Sequence, residues 1–559
     1  MANTSSNNKI DFKLVILIVI VTIALIVSIV MISINNTGNS NNRVTNGFKI
    51  ENDGSSVKIT GYEGSDKSIT IPAKFGTKKV TAIVAGAFTG TNVEEIVFSD
   101  DIESITIPAE CFKNNNTIKY VKLPSCISTI PEYMFYDCSS LVHVDFPDTI
   151  KTIGAYAFYG CAKLDYANTE TEGEFYLPDS LESIEKYAFN NCTGLDKMYY
   201  GDKLTTIKEY AFSGASNLDT FAVKEDKTSN INSIGNYAFR ATNLKSTTAS
   251  SFSIPNVTKI GEYAFTSQGS NFTGFILPKS VNTVGKCAFT ACNSLTSFVF
   301  EEKETGTLTL DSGVLKNCSK LSKVSTKKSD GEIDLAKSFP DSLEKIPQEM
   351  FMGCASLFTT SDLYISSNIK EIGTGAFAVY LTSSSSGSTS KKIIVAEDNE
   401  YFSSVTLKSY YVTDSSSLVG TEHCILTDKE EKVLIAYIGL FSTKNYGKYD
   451  NGDSSIFKFI PLTIESINDY AFAGVKFDSI LIPASVKSLG NNVFDSSSIS
   501  AVYVENKDCE ITNKTFENVI KNTTENTFEV LTYISTDGKL NQLIEEYYKD
   551  KIGVGSYMD

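Results

Sequence analysis

A sixteen-residue block recurs along this chain in one frame, and very few folds accommodate such a block. Thr149–Leu164 reads TIKTIGAYAFYGCAKL, Cys126–Leu141 reads CISTIPEYMFYDCSSL and Ser180–Leu195 reads SLESIEKYAFNNCTGL. With the Phe as marker, the block falls at Phe88, Phe112, Phe135, Phe158, Phe189, Phe212, Phe239, Phe265, Phe289, Phe351, Phe377, Phe472, Phe494 and Phe516, and Leu315 stands in once. Most spacings are 22 to 27 residues; 31 precede Phe189, 36 precede Phe351 and 95 precede Phe472. An apolar residue followed by Pro stands upstream in many units, as at Leu123-Pro124, Phe146-Pro147, Leu177-Pro178 and Ile482-Pro483.

A unit this short cannot close a core alone, but stacked on its copies it buries a continuous one. Its apolar patches, such as Val121-x-Leu123 and Ile127-x-x-Ile130, are too short for helices and are β-branched or aliphatic. The expectation is a β-rich solenoid in which each coil gives two short strands, paired in parallel with the next coil. Pro ends the first strand because it cannot donate to the ladder. Phe135, Phe158, Phe189, Phe212, Phe239, Phe265 and Phe289 are expected to line the core.

The rest of the chain divides around this array. Residues 1–13 are polar and read as a cytoplasmic tail. Leu14 to Ile34 holds twenty-one residues without a charge; at 1.5 Å per residue it reaches roughly 31 Å, a hydrocarbon core's thickness. It is too long for a cleaved signal and is read as a transmembrane signal anchor. Lys9 and Lys13 before it, against Arg43 beyond, favour an N-terminus inside and repeats outside. The expected location is the plasma membrane, crossed once.

Residues 35–46 read as a flexible linker. Residues 47–68 read as an N-terminal β-hairpin cap, with Asn52-Asp53-Gly54 in its turn. Residues 69–377 are repeats, and insertions around Ala167–Glu174 and 316–338 are expected to bulge as loops. Residues 378–456 read as degenerate repeats with a projecting hairpin, turning at Asp428–Glu431, and mobile loops. Repeats resume over 457–535. Residues 536–559 read as a helical cap, because Leu540, Leu543, Ile544 and Tyr547 recur at helical spacing.

The blocks resemble BspA-like leucine-rich repeats: an Ala-Phe pair, a Cys three residues later, Ile-Gly before it and Leu-Pro upstream. The resemblance covers roughly residues 55–535, and 392–436 is similar to the variant segment inside that family's arrays. It implies a leucine-rich-repeat array on a surface, in anaerobic bacteria or parasitic protists, engaged in adhesion or in binding host or matrix proteins. Members that are secreted or carry other anchors make the 14–34 anchor a departure.

Chemistry has little support. Fifty Lys and Arg face sixty-six Asp and Glu, a net charge of −16, which argues against a nucleic-acid partner. Cys138, Cys161, Cys192, Cys292, Cys318 and Cys354 share one repeat position, where free thiols serve as small buried hydrophobes; inter-coil disulfides are the alternative. The chain has two His, His143 and His423. No metal, phosphate or nucleophile pattern surrounds them, and no cofactor is expected. Sequons stand at Asn35, Asn115, Asn191, Asn256, Asn271, Asn317, Asn513 and Asn522, with poorer access expected at Asn191 and Asn317.

Alternation along each first strand points Lys119, Tyr120 and Lys122, then His143 and Asp145, then Tyr176, then Lys197 and Tyr199, then Asp219 away from the core. Ser253, Ile276 and Val299 follow in later coils. This places Tyr176 beside Tyr199, with Tyr120 two coils from Tyr176. Tyr120, Tyr176, Lys197 and Tyr199 are the candidate binding residues, since exposed Tyr beside charge is typical of interface anchors. The reading is a membrane-anchored, non-enzymatic surface protein that binds an extracellular protein or glycan ligand. A hydrolase with its site in 378–456 and an inert spacer are the alternatives.

Overall fold

The computed structural model describes residues 42–559 except 170, 247–251, 358–361, 379–392, 413–417, 439–459, 476–478, 500, 522–528, 534–538, 549–552 and 558–559. The proposed anchor over 14–34 lies outside the described residues, as do the stretches 380–391 and 443–455. Among the described residues no helix is long and apolar enough to cross a membrane.

The repeats form a parallel β-solenoid. One eight-stranded sheet runs in chain order through Ser68–Ile71, Glu95–Phe98, Tyr120–Lys122, His143–Asp145, Tyr166–Ala167, Glu174–Tyr176, Lys197–Tyr200 and Thr220–Val223. A second eight-stranded sheet starts at Thr129–Ile130 and ends at Thr309–Leu310, with two residues per coil. Between the sheets the marker rings stack. Phe135, Phe158 and Phe189 lie 5.1 Å apart in sequence, with planes 14° and 3° from parallel. All seven core Phe are fully buried.

Gly154 explains the Gly that follows the second strand. Its φ is ordinary, but a Cβ there would stand 2.5 Å from the Ile130 carbonyl oxygen of the preceding coil. Across that approach Gly154 N–H donates to Ile130 O at 2.9 Å, a bond that Glu185 and Lys208 make to Ile153 and Ile184 at 3.0 Å in later coils. After it comes an arch around the Phe. Its amides two before the Phe, at the Phe and two after donate to the next coil, as Tyr156, Phe158 and Gly160 do to Lys186, Ala188 and Asn190 at 2.9, 2.8 and 2.8 Å.

Several boundaries differ from the sequence reading. The 35–46 linker ends in a strand, Asn42–Thr45, antiparallel to Phe48–Asp53. Phe48–Asp53 pairs with Ser56–Tyr62, and Asp53 faces Ser56, so the tight turn is Gly54-Ser55. The segment at Ala167 does not only bulge: Tyr166–Ala167 is a strand inserted between His143–Asp145 and Glu174–Tyr176. Within 316–338, Lys323–Lys327 pairs in parallel with Ser297–Glu301 in a separate four-stranded sheet, and Ile333–Asp334 folds back on it antiparallel. Backbone pairing permitted both, because a ladder bonds main-chain groups whatever side chains they carry.

In the long gap, Phe402–Val412 and Leu418–Asp428 pair over eleven residues without a bulge. Leu418–Asp428 then pairs with Val433–Ile438. Asp428 fixes the turn between these two strands: its carboxylate accepts the Lys432 and Val433 amides at 2.7 and 2.8 Å. One apolar core runs from Phe48 to Ala436 and another from Ile425 to Tyr548. The helix Lys539–Tyr548 buries Leu540, Ile544 and Tyr548 against the second. A strand follows it, Gly553–Tyr557, parallel to Glu529–Tyr533.

Candidate interaction surface

The strand face carries the candidate residues in two rows. Tyr176 and Tyr199 are register partners, and their rings stack 4.8 Å apart at 21°. Tyr176 Oη donates to Glu174 Oε2 at 3.2 Å, and Lys197 Nζ lies 3.9 Å from Glu174 Oε1. Glu174 and Lys197 are themselves register partners. Both residues are half-buried.

Tyr120 sits elsewhere. The inserted Tyr166–Ala167 strand puts it three strands from Tyr176, and register places it in the other row, with His143 and Tyr166. The His143 ring is sandwiched between Tyr120 at 5.0 Å and Tyr166 at 4.2 Å. Tyr120 Oη donates to Asp145 Oδ2 at 2.6 Å, while His143 Nε2 approaches Asp145 Oδ1 to 2.9 Å, close but poorly directed for a hydrogen bond. Burial works to raise the Asp145 pKa, but the His143 and Tyr120 contacts outweigh it and hold the carboxyl below its ordinary value. Burial first, and Asp145 second, push the Tyr120 phenol well up. Tyr120 is therefore tied into the strand face, whereas Tyr176 and Tyr199 lean on each other. Val299, expected outward, is 7% exposed.

The sequence reading missed a longer aromatic row on the arch edge. Tyr133, Tyr156, Tyr187, Tyr210, Tyr237 and Tyr263 stand two residues before successive marker Phe. Their rings stack at 4.7, 4.6, 4.6, 4.6 and 4.8 Å, within 8° of parallel. Each backbone is left-handed, with φ between 54° and 58°. That region costs an L-residue roughly 1–2 kcal/mol, and stacking offsets part of it. The available signal was a Tyr at one fixed phase in six consecutive repeats.

Behind this edge, each repeat Cys does more than fill space. Cys138, Cys161 and Cys192 Sγ donate to the carbonyls of Phe112, Phe135 and Phe158 in the preceding coils at 3.0, 3.0 and 2.9 Å. Cys292, Cys318 and Cys354 repeat the bond to Phe265, Phe289 and Leu315. Where Cys is missing, Asn115 and Gln268 supply an amide donor to Phe88 and Phe239. The position thus selects a donor as well as a volume. Ten of the eleven cysteines are free thiols, and of these Cys126 is the exposed one; the Cys424 side chain lies outside the described set.

Asn115 spends its side-chain nitrogen on Phe88 O and is buried, and Asn256 spends its own on Ser229 O. Asn191 and Asn317, expected to be less accessible, are exposed. Among the described residues no group of three or more His, Cys, Asp or Glu could hold a metal ion. His423 lies on Leu418–Asp428 opposite Leu407; its side chain is outside the described set.

The family described as "BspA type Leucine rich repeat region" matches in six copies over residues 62–173, 165–269, 233–336, 333–424 and 451–541. No curated protein matches. Similar solved structures include a leucine-rich repeat protein from Bacteroides ovatus, 16% identical with a TM-score of 0.41, covering 94% of this chain and 100% of that one. A leucine rich cell surface protein from Faecalibacterium prausnitzii is 17% identical with a TM-score of 0.36, covering 88% and 97%. The pneumococcal vaccine antigen PcpA is 14% identical with a TM-score of 0.37, covering 94% and 100%.

Proposed function

The chain belongs to the BspA-type leucine-rich repeat family, and from that premise we propose that it is a membrane-anchored surface protein whose solenoid binds an extracellular protein or glycan. Leu14 to Ile34 crosses the plasma membrane once, with residues 1–13 inside and the repeats outside. The partner meets the strand face at Tyr176 and Tyr199.

The observation that supports this reading is the Tyr176–Tyr199 stack beside Lys197 and Glu174. Two half-exposed rings held parallel lose little side-chain freedom on contact, which is what makes Tyr an efficient anchor. The charged pair beside them supplies orientation, since rim charges steer encounter more than they add affinity.

The test compares the full chain with Tyr176→Ser/Tyr199→Ser, both displayed on cells, against immobilised matrix proteins and glycans. The double variant should bind at least about tenfold more weakly, as hot-spot loss implies, with its unfolding midpoint nearly unchanged. Equal binding by the two chains would move the contact off this face, and no binding by either would favour an inert spacer.

A further inference from the structure

Tyrosine stacking stops at Tyr133, and a cavity begins where the next two rings would stand. Counting back in phase, the residues two before the marker Phe are Glu110 and Gly86. Neither fills the ring's volume. A cavity of about 650 Å³ opens there, between the arches of Phe88 and Phe112.

The backbone is unfinished at the same place. In the Phe112 coil, the Glu110, Phe112 and Asn114 amides donate to Glu132, Met134 and Tyr136 at 3.0, 2.9 and 2.7 Å, and the arches that follow as far as Phe265 repeat the three bonds. The equivalent amides one coil earlier belong to Gly86, Phe88 and Gly90, and among the described residues none of them makes that bond. Gly86 and Gly90 are exposed and line the cavity, whereas Phe88 is fully buried and does not. Exposed amides without a protein acceptor are free to donate to a ligand's hydroxyl oxygens.

We propose that this cavity binds a neutral glycan segment, with the open Gly86 and Gly90 amides and the side chains of Thr89 and Asn114 meeting its hydroxyls. The proposal rests on the reading of the array as a binding protein but uses a different surface. The lining excludes other ligands by chemistry. Lys113 Nζ is held by Glu110 Oε1 at 2.7 Å and lies 5.1 Å from the Tyr133 ring centre, so the one charged pair is self-neutralised. That disfavours phosphate, sulfate or a carboxylate. Ala85 is the one aliphatic lining residue, so no apolar pocket receives a peptide side chain. A hydroxylated ring offers donors and acceptors on one body and needs no such pocket.

The family of rings on the same edge supplies the blocking variants. Tyr occupies the equivalent left-handed position in six later coils, and the φ values of 63° at Glu110 and 74° at Gly86 lie near theirs. Glu110→Tyr and Gly86→Tyr should therefore fold while filling the cavity. Full-length wild type is probed on an array of neutral α- and β-linked oligosaccharides, acidic oligosaccharides and short neutral peptides, with heat unfolding followed in parallel. Neutral oligosaccharides should bind, and each variant should lose at least about tenfold while its unfolding midpoint is unchanged or higher. Failure of every neutral oligosaccharide, retention of binding by both folded variants, or preference for acidic sugars or peptides overturns the proposal. If glycan binding falls instead in Tyr176→Ser/Tyr199→Ser and not in the cavity variants, the binding reading stands and the cavity assignment fails.

Discussion

Cys161 Sγ donates to the carbonyl oxygen of Phe135 across 3.0 Å, joining one coil's thiol to the preceding coil's backbone. The same oxygen accepts the Cys138 amide at 3.1 Å. Replacing Cys161 by Val fills the volume but removes a donor. The oxygen keeps the Cys138 amide, so the expected cost is about 0.5–1.5 kcal/mol, the range for one lost hydrogen bond, and Cys161→Ser should cost less than Val. Denaturant titration of the three chains checks the order.

Burial raises the thiols of Cys111, Cys138 and Cys354 from 9.0 to about 12. A group with a folded pKa above its unfolded one holds its proton more tightly when folded. Its contribution is therefore complete below pH 9 and is lost as pH climbs toward 12. Stability should fall over that alkaline window, and less steeply when Cys138 and Cys354 are both Ala. A thiol reagent at pH 8 should label Cys126 in the native chain and spare the other described cysteines until unfolding.

Phe158 packs between Phe135 and Phe189 at 5.1 Å on each side. Phe158→Ala should cost roughly 3–5 kcal/mol. Coupling in a stacked array runs between neighbours, so hydrogen exchange should accelerate around residues 130–195 and little beyond 290. Uniform acceleration along the chain would contradict that.

Much of this was legible in one sequence, for a physical reason. A fixed period with a fixed phase leaves a single way to stack, so the Phe column and the Tyr176–Tyr199 pairing follow from residue spacing alone. Phase failed where the chain left it. Tyr166–Ala167 is a two-residue strand whose pairing is backbone-driven, and it sets Tyr120 three strands from Tyr176 rather than two. The eleven-residue pairing of Phe402–Val412 escaped notice because Ser, Thr and Lys interrupt its apolar alternation. The arch tyrosines were hidden differently: propensity gives no warning that a Tyr will sit at positive φ, since nothing local favours it.

Tyr187 separates those two effects. Its ring stacks on Tyr156 and Tyr210 at 4.6 Å, with φ at 58°. Tyr187→Ala loses both stacks and keeps the strained backbone, so it should destabilise by about 1–3 kcal/mol. Tyr187→Gly loses the stacks but releases the strain, and should be about 1 kcal/mol more stable than Ala. The inverse order in thermal melts would mean that the left-handed backbone carries no cost here.

Protease added to intact cells should remove the chain beyond the linker when Leu14 to Ile34 is the anchor and the repeats face outward. Protection until the membrane is permeabilised would reverse that topology.

The arch joins each coil to the next by three amide bonds, a thiol and two rings, and every one of these reaches a single neighbour. Excision of one whole repeat therefore brings together two surfaces that already fit: without the Phe158 coil, Tyr133 would meet Tyr187 and Phe135 would meet Phe189. Length is thus a heritable variable nearly independent of fold. Unequal crossing-over between repeats can shorten or extend the array by whole coils, and each descendant inherits an intact Phe column and an unbroken edge.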